Sequence, residues 1–402
     1  MSVSLEEIRA ARERIRPFIY HSPCPYSLRL SRLTGAQVYC KLDHLQMTGS
    51  FKERGARNRL MLLTAEERKR GVIAVSAGNH ALGLAYHGQE LGIPVTVVMP
   101  KWAPLIKVST CRSFGATVIQ EGETFALARN HAQALGAERK MVFVPPYDDE
   151  HIINGQGTLG LEILEDLPDV DAVLVPVGGG GLISGISTAI KALKPSVRII
   201  GVEARSAPTM HASLAVGHPE PITAEPTLAD GLAVAKAGDL CYPIAKKLVD
   251  EFVLVDEAQI AQAILRLLEL EKIVVEGAGA VPLAALMTQP LNLHGKKVVL
   301  LLCGGNIDVT MIARVIDRGL AADGRLCRFE VRVSDRPGNL ARVLGVVATA
   351  GGSVKEVHHD RNFGPADVAK VGITIVAETR DHAHITELHA ALAAAKIEFS
   401  PL

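Results

Sequence analysis

The sequence predicts an α/β protein built on parallel sheets and divided into two lobes, followed by a smaller unit that mixes strands and helices. Three observations predict it. Apolar runs alternate with helical patterns from Val72 to Val144, and the alternation restarts at Gly157. Three apolar runs end in a turn of small residues that opens a helix, the place where parallel α/β sheets present ligand-binding groups. Past Asp323-Gly324 the order of elements changes.

The elements follow in order. Ser4-Leu5-Glu6-Glu7-Ile8-Arg9 reads as a charged amphipathic helix rather than an apolar targeting segment, which predicts a cytoplasmic protein. In Thr48-Gly49-Ser50-Phe51-Lys52-Glu53-Arg54-Gly55, Ser50 and Glu53 stand in capping-box register, predicting a helix whose second residue is Lys52. A helix N-terminus opposes a protonated ammonium, so Lys52 is placed to be neutral and reactive toward an aldehyde, with Phe51 offering a flat apolar surface. Strands are then expected at Val72–Val75, Val95–Met99, Thr117–Gln120 and Met141–Val144, with helices between them. A helix from Gly157 to Leu167 leads to strands at 172–177 and Arg198–Glu203, and Pro208–Pro226 reads as loop. The smaller lobe is expected near 48–145.

Ser76-Ala77-Gly78-Asn79-His80, Gly178-Gly179-Gly180-Gly181-Leu182 and Cys303-Gly304-Gly305-Asn306 each follow an apolar strand. Four consecutive glycines are costly to order for a plain turn, and their N–H groups at a helix start make a cradle for an anion. A dinucleotide site competes for that turn, because Glu203 follows at about the distance where Rossmann folds place a ribose-binding acid.

Together with the Lys52 segment, these motifs in this order resemble the serine/threonine dehydratases of the fold-type II pyridoxal-phosphate enzymes, over roughly residues 5–320. The resemblance implies a two-lobed, tryptophan synthase β-like catalytic unit over 1–322 with pyridoxal 5'-phosphate as cofactor. Lys52 would carry it covalently; Phe51, Asn79, Gly178, Gly179, Gly180, Gly181, Leu182 and Cys303 would line it. Asn79 would face its phenolic oxygen and Cys303 its pyridine nitrogen. Ser76, Ala77, Gly78, Asn79 and His80 would take the carboxylate of L-threonine or L-serine. Serine racemase carries a second serine where this chain has Ala77, which favours elimination here. Relatives bind a cation near Glu203 and the Ala207 carbonyl, but Thr209 stands where an acid is expected, and the metal is left open.

Residues 326–402 read as βαββαβ, the ferredoxin-like plan. With the turn Asp335-Arg336-Pro337-Gly338 they resemble an ACT domain, which implies a small effector such as isoleucine or valine, held near Asp335, Pro337, Gly338 and Asn339. The alternative for this unit is packing or dimerisation. The resemblance as a whole implies threonine deamination to 2-oxobutanoate and ammonia. A nicotinamide oxidoreductase on the glycine turn and Glu203, a racemase and a β-replacement enzyme are the alternatives.

Bulk properties narrow the class. Lys+Arg and Asp+Glu both number 43 in 402 residues, so charge gives no argument for nucleic acid or an anionic membrane as partner. Six cysteines without CxxC spacing argue against a zinc site or disulfide framework. With aromatics at 4%, an aliphatic core is expected, and a closed homo-oligomer is the default assembly.

Overall fold

The computed structural model describes residues 3–361 and 369–402. The chain forms two compact units, Met1–Ile307 and Asp308–Leu402. In the first, strands β1 (Gln37–Lys41), β2 (Val72–Val75), β3 (Val95–Met99), β4 (Thr117–Gln120), β5 (Val142–Phe143), β6 (Ala172–Pro176), β7 (Arg198–Ala204), β8 (Glu251–Val255) and β9 (Lys297–Leu301) make two sheets. Their orders are β4-β3-β2-β5 in the smaller lobe and β1-β9-β6-β7-β8 in the larger. Every pairing in both sheets is parallel, as βα alternation requires.

Both cores are aliphatic. Val173, Val175, Ile183, Ile186, Ile199, Val299 and Leu301 pack under the larger sheet, and Ala74, Leu84, Val97 and Met99 under the smaller. Continuous Val/Ile/Leu runs suit strands covered on both faces, which explains why so few aromatics suffice.

One helix joins the pieces that matter for the site. Glu150–Asp166 starts earlier than its sequence pattern suggests, capped by Asp149. A Cβ at Gly155 would lie 2.7 Å from the Gly55 Cα in the helix Lys52–Met61, and one at Gly157 would lie 2.9 Å from the Gly185 carbonyl in the helix Gly181–Leu193. Three helices therefore meet backbone to backbone.

Two local expectations fail. The stretch 208–226 contains a helix, Thr209–Val216, which starts after Pro208 and stops at Gly217, where φ is +90°. Proline opens helices as readily as it breaks them, and the sequence reading took it only as a breaker. Ser50 does not cap the Lys52 helix. Phe51 precedes the first helical residue, Lys52, and no side chain caps that end. Ser50 is bridged to Gly304, and the Phe51 N–H donates to the Cys303 carbonyl at 3.0 Å, so this segment is fixed by long-range pairing rather than a local box. Glu53 turns back to accept from the Thr48 N–H.

The second unit carries the helix Val309–Ala322 and strands β10 (Leu326–Ser334), β11 (Ser353–Asp360), β12 (Lys370–Glu378) and β13 (Glu398–Pro401), with helices Asn339–Thr349 and His382–Ala394. The antiparallel order β11-β12-β10-β13 is that of a ferredoxin-like sheet. Phe329, Val331, Ile373, Ile375, Val343 and Leu388 form its core. Among the described residues, no helix is long and apolar enough to cross a membrane.

Candidate active site

Lys52 holds a buried amine. Its Nζ donates to the Pro146 carbonyl at 2.8 Å, and burial of that nitrogen pushes its pKa down to about 8. Cys303, Cys241 and Glu276 lie close enough to oppose the shift. Desolvation disfavours the charged ammonium, so the amine is available near neutrality. Phe51 lies under the lysine itself, with Nζ 5.1 Å from the ring centre, and packs against the larger core.

The Lys52 helix is held from below by buried charge. Arg54 bridges Asp43 (2.7 and 2.9 Å) and Glu162 (2.6 and 2.9 Å). Lys41 reaches Glu162 at 2.9 Å and Asp166 at 2.8 Å. Burial works to raise the Asp43 carboxyl, yet the Arg54 guanidinium holds it below its ordinary value.

The turn after β2 behaves partly as expected. Helix Asn79–Leu91 begins there. The Gly78 N–H is taken by the Ser76 hydroxyl at 3.2 Å, whereas the N–H groups of Ala77, Asn79 and His80 have no acceptor among the described residues. His80 donates from Nε2 to the Val144 carbonyl at 3.0 Å, and burial with Lys52 nearby holds its pKa down to about 3, so it stays neutral. Asn79 is not a helix cap. Its Nδ2 donates to Glu276 at 2.7 Å, and its Oδ1 accepts from Asn306 at 2.8 Å.

At the glycine turn, the N–H groups from Gly178 through Ile183 donate to no acceptor among the described residues, and they converge on the start of helix Gly181–Leu193. That is an anion cradle. Its glycines have a second duty: a Cβ at Gly179 would lie 2.4 Å from the Tyr147 ring, and one at Gly180 would lie 2.8 Å from Cys241 and Met210.

Cys303 is buried, and burial, with Glu276 and Asp43 adding to it, pushes its thiol well above the usual range, so it is a neutral group. Glu203 is fully buried and accepts from the N–H groups of Met210 (2.7 Å) and His211 (2.8 Å), with burial pushing it up to about 8. It caps a helix, so it is not presented to a ribose, and the dinucleotide alternative loses its acid. The Ala207 carbonyl accepts from the Thr209 N–H at 3.0 Å. Among the described residues, no cluster of three His, Cys, Asp or Glu side chains is disposed to hold a metal.

In the second unit, Asp335 pairs with Arg361 at 3.0 Å, and Asn339 ties back to Ser334. Gly338, at φ +92°, opens the helix Asn339–Thr349 into free space. Sequence reasoning missed Glu276, Tyr147, Cys241 and the pairing role of Asn306. A lone carboxylate between apolar and small residues, Val274-Val275-Glu276-Gly277-Ala278-Gly279, was the available signal for Glu276.

Comparison with known proteins places this geometry. The family described as pyridoxal-phosphate dependent enzymes matches residues 15–304. The L-threonine ammonia-lyase of Thermotoga maritima is 49% identical over 392 residues, covering 98% of each chain. The processed form of threonine deaminase isoform 2 from Solanum lycopersicum is similar with a TM-score of 0.75 at 37% identity, over 78% of this chain and 86% of that one. Maize serine racemase is similar with a TM-score of 0.75 at 33% identity, over 80% of this chain and 99% of that one. The residues present fit the chemistry of that family's cofactor: an unpaired run of N–H groups suits a phosphate, and a buried lysine with a lowered pKa suits an aldehyde.

Proposed function

The chain belongs to the pyridoxal-phosphate dependent enzymes, and we propose that within them it is an L-threonine ammonia-lyase, releasing 2-oxobutanoate and ammonia, with L-serine as a second substrate giving pyruvate. The observation that carries this reading is the buried Lys52 amine with a neutral thiol, Cys303, beside it. Extensive likeness to the Thermotoga enzyme supports it.

Bound pyridoxal phosphate supplies an aldehyde for covalent attachment and a ring that withdraws electrons from the substrate α-carbon. Gly178, Gly179, Gly180, Gly181 and Leu182 would hold the phosphate through backbone N–H groups. Lys52 would be the point of attachment, and its amine, when free, would be the base placed to take the substrate α-proton. Asn79 would orient the ring through its amide. Cys303, being neutral, would leave the ring nitrogen without a full counter-charge, which would suit loss of a β-hydroxyl over transamination. Ser76, Gly78 and His80 frame the carboxylate, for which the free N–H groups of Ala77, Asn79 and His80 are the donors. Racemisation is the second reading, favoured by the likeness to maize serine racemase. Ala77 counts against it, because it offers no hydroxyl to return a proton to the opposite face.

Residues 1–322 form the catalytic domain in this reading, and 326–402 an ACT domain that binds an amino acid such as isoleucine or valine at Asp335, Pro337, Gly338 and Asn339. Its ferredoxin-like order and the open turn at Gly338 support the assignment. A homo-oligomer is expected. The test is keto-acid release from threonine and serine, with and without isoleucine and valine, together with chiral analysis of recovered serine. Threonine turnover faster than serine racemisation is the expected result; D-serine as the main product would reverse the assignment. Calorimetry showing no amino acid bound, with unaltered threonine kinetics, would reduce the second unit to a structural role.

A further inference from the structure

Glu276 is a buried carboxyl that the reaction outlined above does not use. It precedes the helix Gly277–Thr288 but does not cap it with its side chain. It lies instead over the turn after β9: its N–H donates to the Gly304 carbonyl at 3.0 Å, and a Cβ at Gly304 would fall 2.1 Å from its Oε1. The absence of a side chain at Gly304 is what admits the carboxyl to this position.

The polarity of the surrounding chain is determined from one end. Thr48 offers a backbone carbonyl, which can only accept, so Asn306 must turn its Nδ2 toward it (2.7 Å). The same Nδ2 then meets the Asn79 side chain at 2.8 Å, which requires Asn79 to present its Oδ1 there. Asn79 is left with its Nδ2 toward Glu276 at 2.7 Å, and Glu276 must accept. One N–H of Asn79 Nδ2 is consumed in this way, and the other has no acceptor among the described residues. Amide orientation, normally ambiguous, is forced here by a backbone atom.

The charged and titratable groups facing Glu276 come from four elements. They are Asp230 on the turn Asp230–Leu232, Lys107 on the helix Leu105–Ser113, Lys52, and the Cys303 thiol. Lys107 and Asp230 are themselves paired at 3.3 Å. Burial pushes the Glu276 carboxyl up to about 7, Asp230 adds to the rise, and Asn79, Lys107 and the Asn306 N–H oppose it.

We propose that Glu276 is a positioning residue that aims the free Asn79 N–H at the cofactor ring, and that its gain or loss of a proton is felt in the ring's electronic state. The inference rests on the cofactor chemistry proposed above. Near neutrality the group can exist in either form. As a carboxylate it strengthens the acceptor for Asn79 and adds negative charge near Lys52, which favours the protonated lysine; protonation removes both effects.

The test compares wild type, Glu276→Gln, Asn79→Ala and the double variant, and uses no turnover assay. Pyridoxal phosphate is titrated into each apoprotein, the visible band of each holoenzyme is followed from pH 6 to 9, and apoprotein melting serves as a fold control. Glu276→Gln should weaken cofactor binding about tenfold, the effect of turning a charge-assisted hydrogen bond into a neutral one. It should also remove a spectral transition near neutrality that wild type shows. In the Asn79→Ala background the same change should weaken binding no further, because Glu276 acts through Asn79. Glu276→Asp keeps the charge at shorter reach; it should retain the transition while binding falls, and it carries the test if the glutamine variant does not fold. Independent, multiplying losses from the two single changes, or a wild-type band in Glu276→Gln with unchanged affinity, would overturn the proposal alone. A wild-type protein with no borohydride-fixable visible band would overturn the functional reading as well.

Discussion

The lysine side and the glycine side of the site are made rigid by opposite means. Beneath Lys52 lie Arg54, Asp43, Glu162 and Lys41, buried charges that satisfy one another. Around Gly178–Gly181 the backbone is seated against the uncharged residues Tyr147, Leu232, Met210 and Cys241, and among the described residues no side chain accepts from its N–H groups. In the proposed function the difference follows from what each side would hold. A covalent anchor needs one side chain fixed in direction, which a fork of ion pairs beneath its helix can provide. An anion cradle needs unpaired N–H groups, which neighbouring side-chain acceptors would occupy and so abolish.

The largest contrast is expected at Lys52 itself. Lys52→Ala should abolish turnover and the borohydride-fixable adduct while leaving the circular dichroism of the fold intact. Retention of a fixed adduct would move the attachment point to another lysine.

Next in size is Arg54→Met, which leaves Asp43 and Glu162 buried without their partner. It should cost roughly 3–5 kcal/mol of stability in denaturant unfolding, the range for breaking a buried pair from one side. A cost below about 1 kcal/mol would make this network resemble a surface pair and erase the comparison.

On the other side, Gly179→Ala should act by overpacking, about 1–3 kcal/mol, with weaker cofactor binding as the visible consequence. Its Cβ would lie 2.4 Å from the Tyr147 ring. Tyr147→Ala in the same chain should therefore restore part of the affinity. No restoration would mean that the side chain obstructs the phosphate directly.

A kinetic prediction comes from the lysine's lowered pKa of about 8. The neutral amine is the nucleophile, so capture of pyridoxal phosphate by apoprotein should speed up as pH rises through that value, by about tenfold from pH 7 to pH 9. Stopped-flow absorbance reads the rate. The smallest effect is expected for Cys303→Ser, which replaces one neutral group by another and should retain substantial threonine turnover, whereas Cys303→Asp should suppress it.

The sequence revealed the parts of the site whose chemistry is local. The Ser76–His80 turn, the glycine run and Cys303 each follow an apolar strand, Lys52 opens a helix, and the structure brings Lys52 near His80, Cys303 and Cys241. What stayed hidden depended on distant partners. The expected Ser50 cap is displaced by pairing with Gly304, about 250 residues away in the chain. Arg54 reads as an ordinary helix cation until Glu162 arrives from another helix. The helix Thr209–Val216 was masked by its prolines, although Glu203 supplies acceptors for its first N–H groups. The βαββαβ order of the second unit was legible because its strands and helices carry their patterns locally, as the alternating burial along Leu326–Ser334 shows.

The meeting of Gly55, Gly155, Gly157 and Gly185 has a consequence for how this enzyme can change over generations. Where helices touch through side chains, drift can exchange one shape for another and pass through workable intermediates. Where they touch through bare backbone, the first step in any direction adds a methyl group to a space of atomic width. The interval between the lysine helix and the glycine-turn helix is thus held like a machined gauge, insensitive to what happens in the surrounding cores. Lineages and laboratory libraries alike should find these four positions nearly silent, while the pocket around them remains free to learn new substrates.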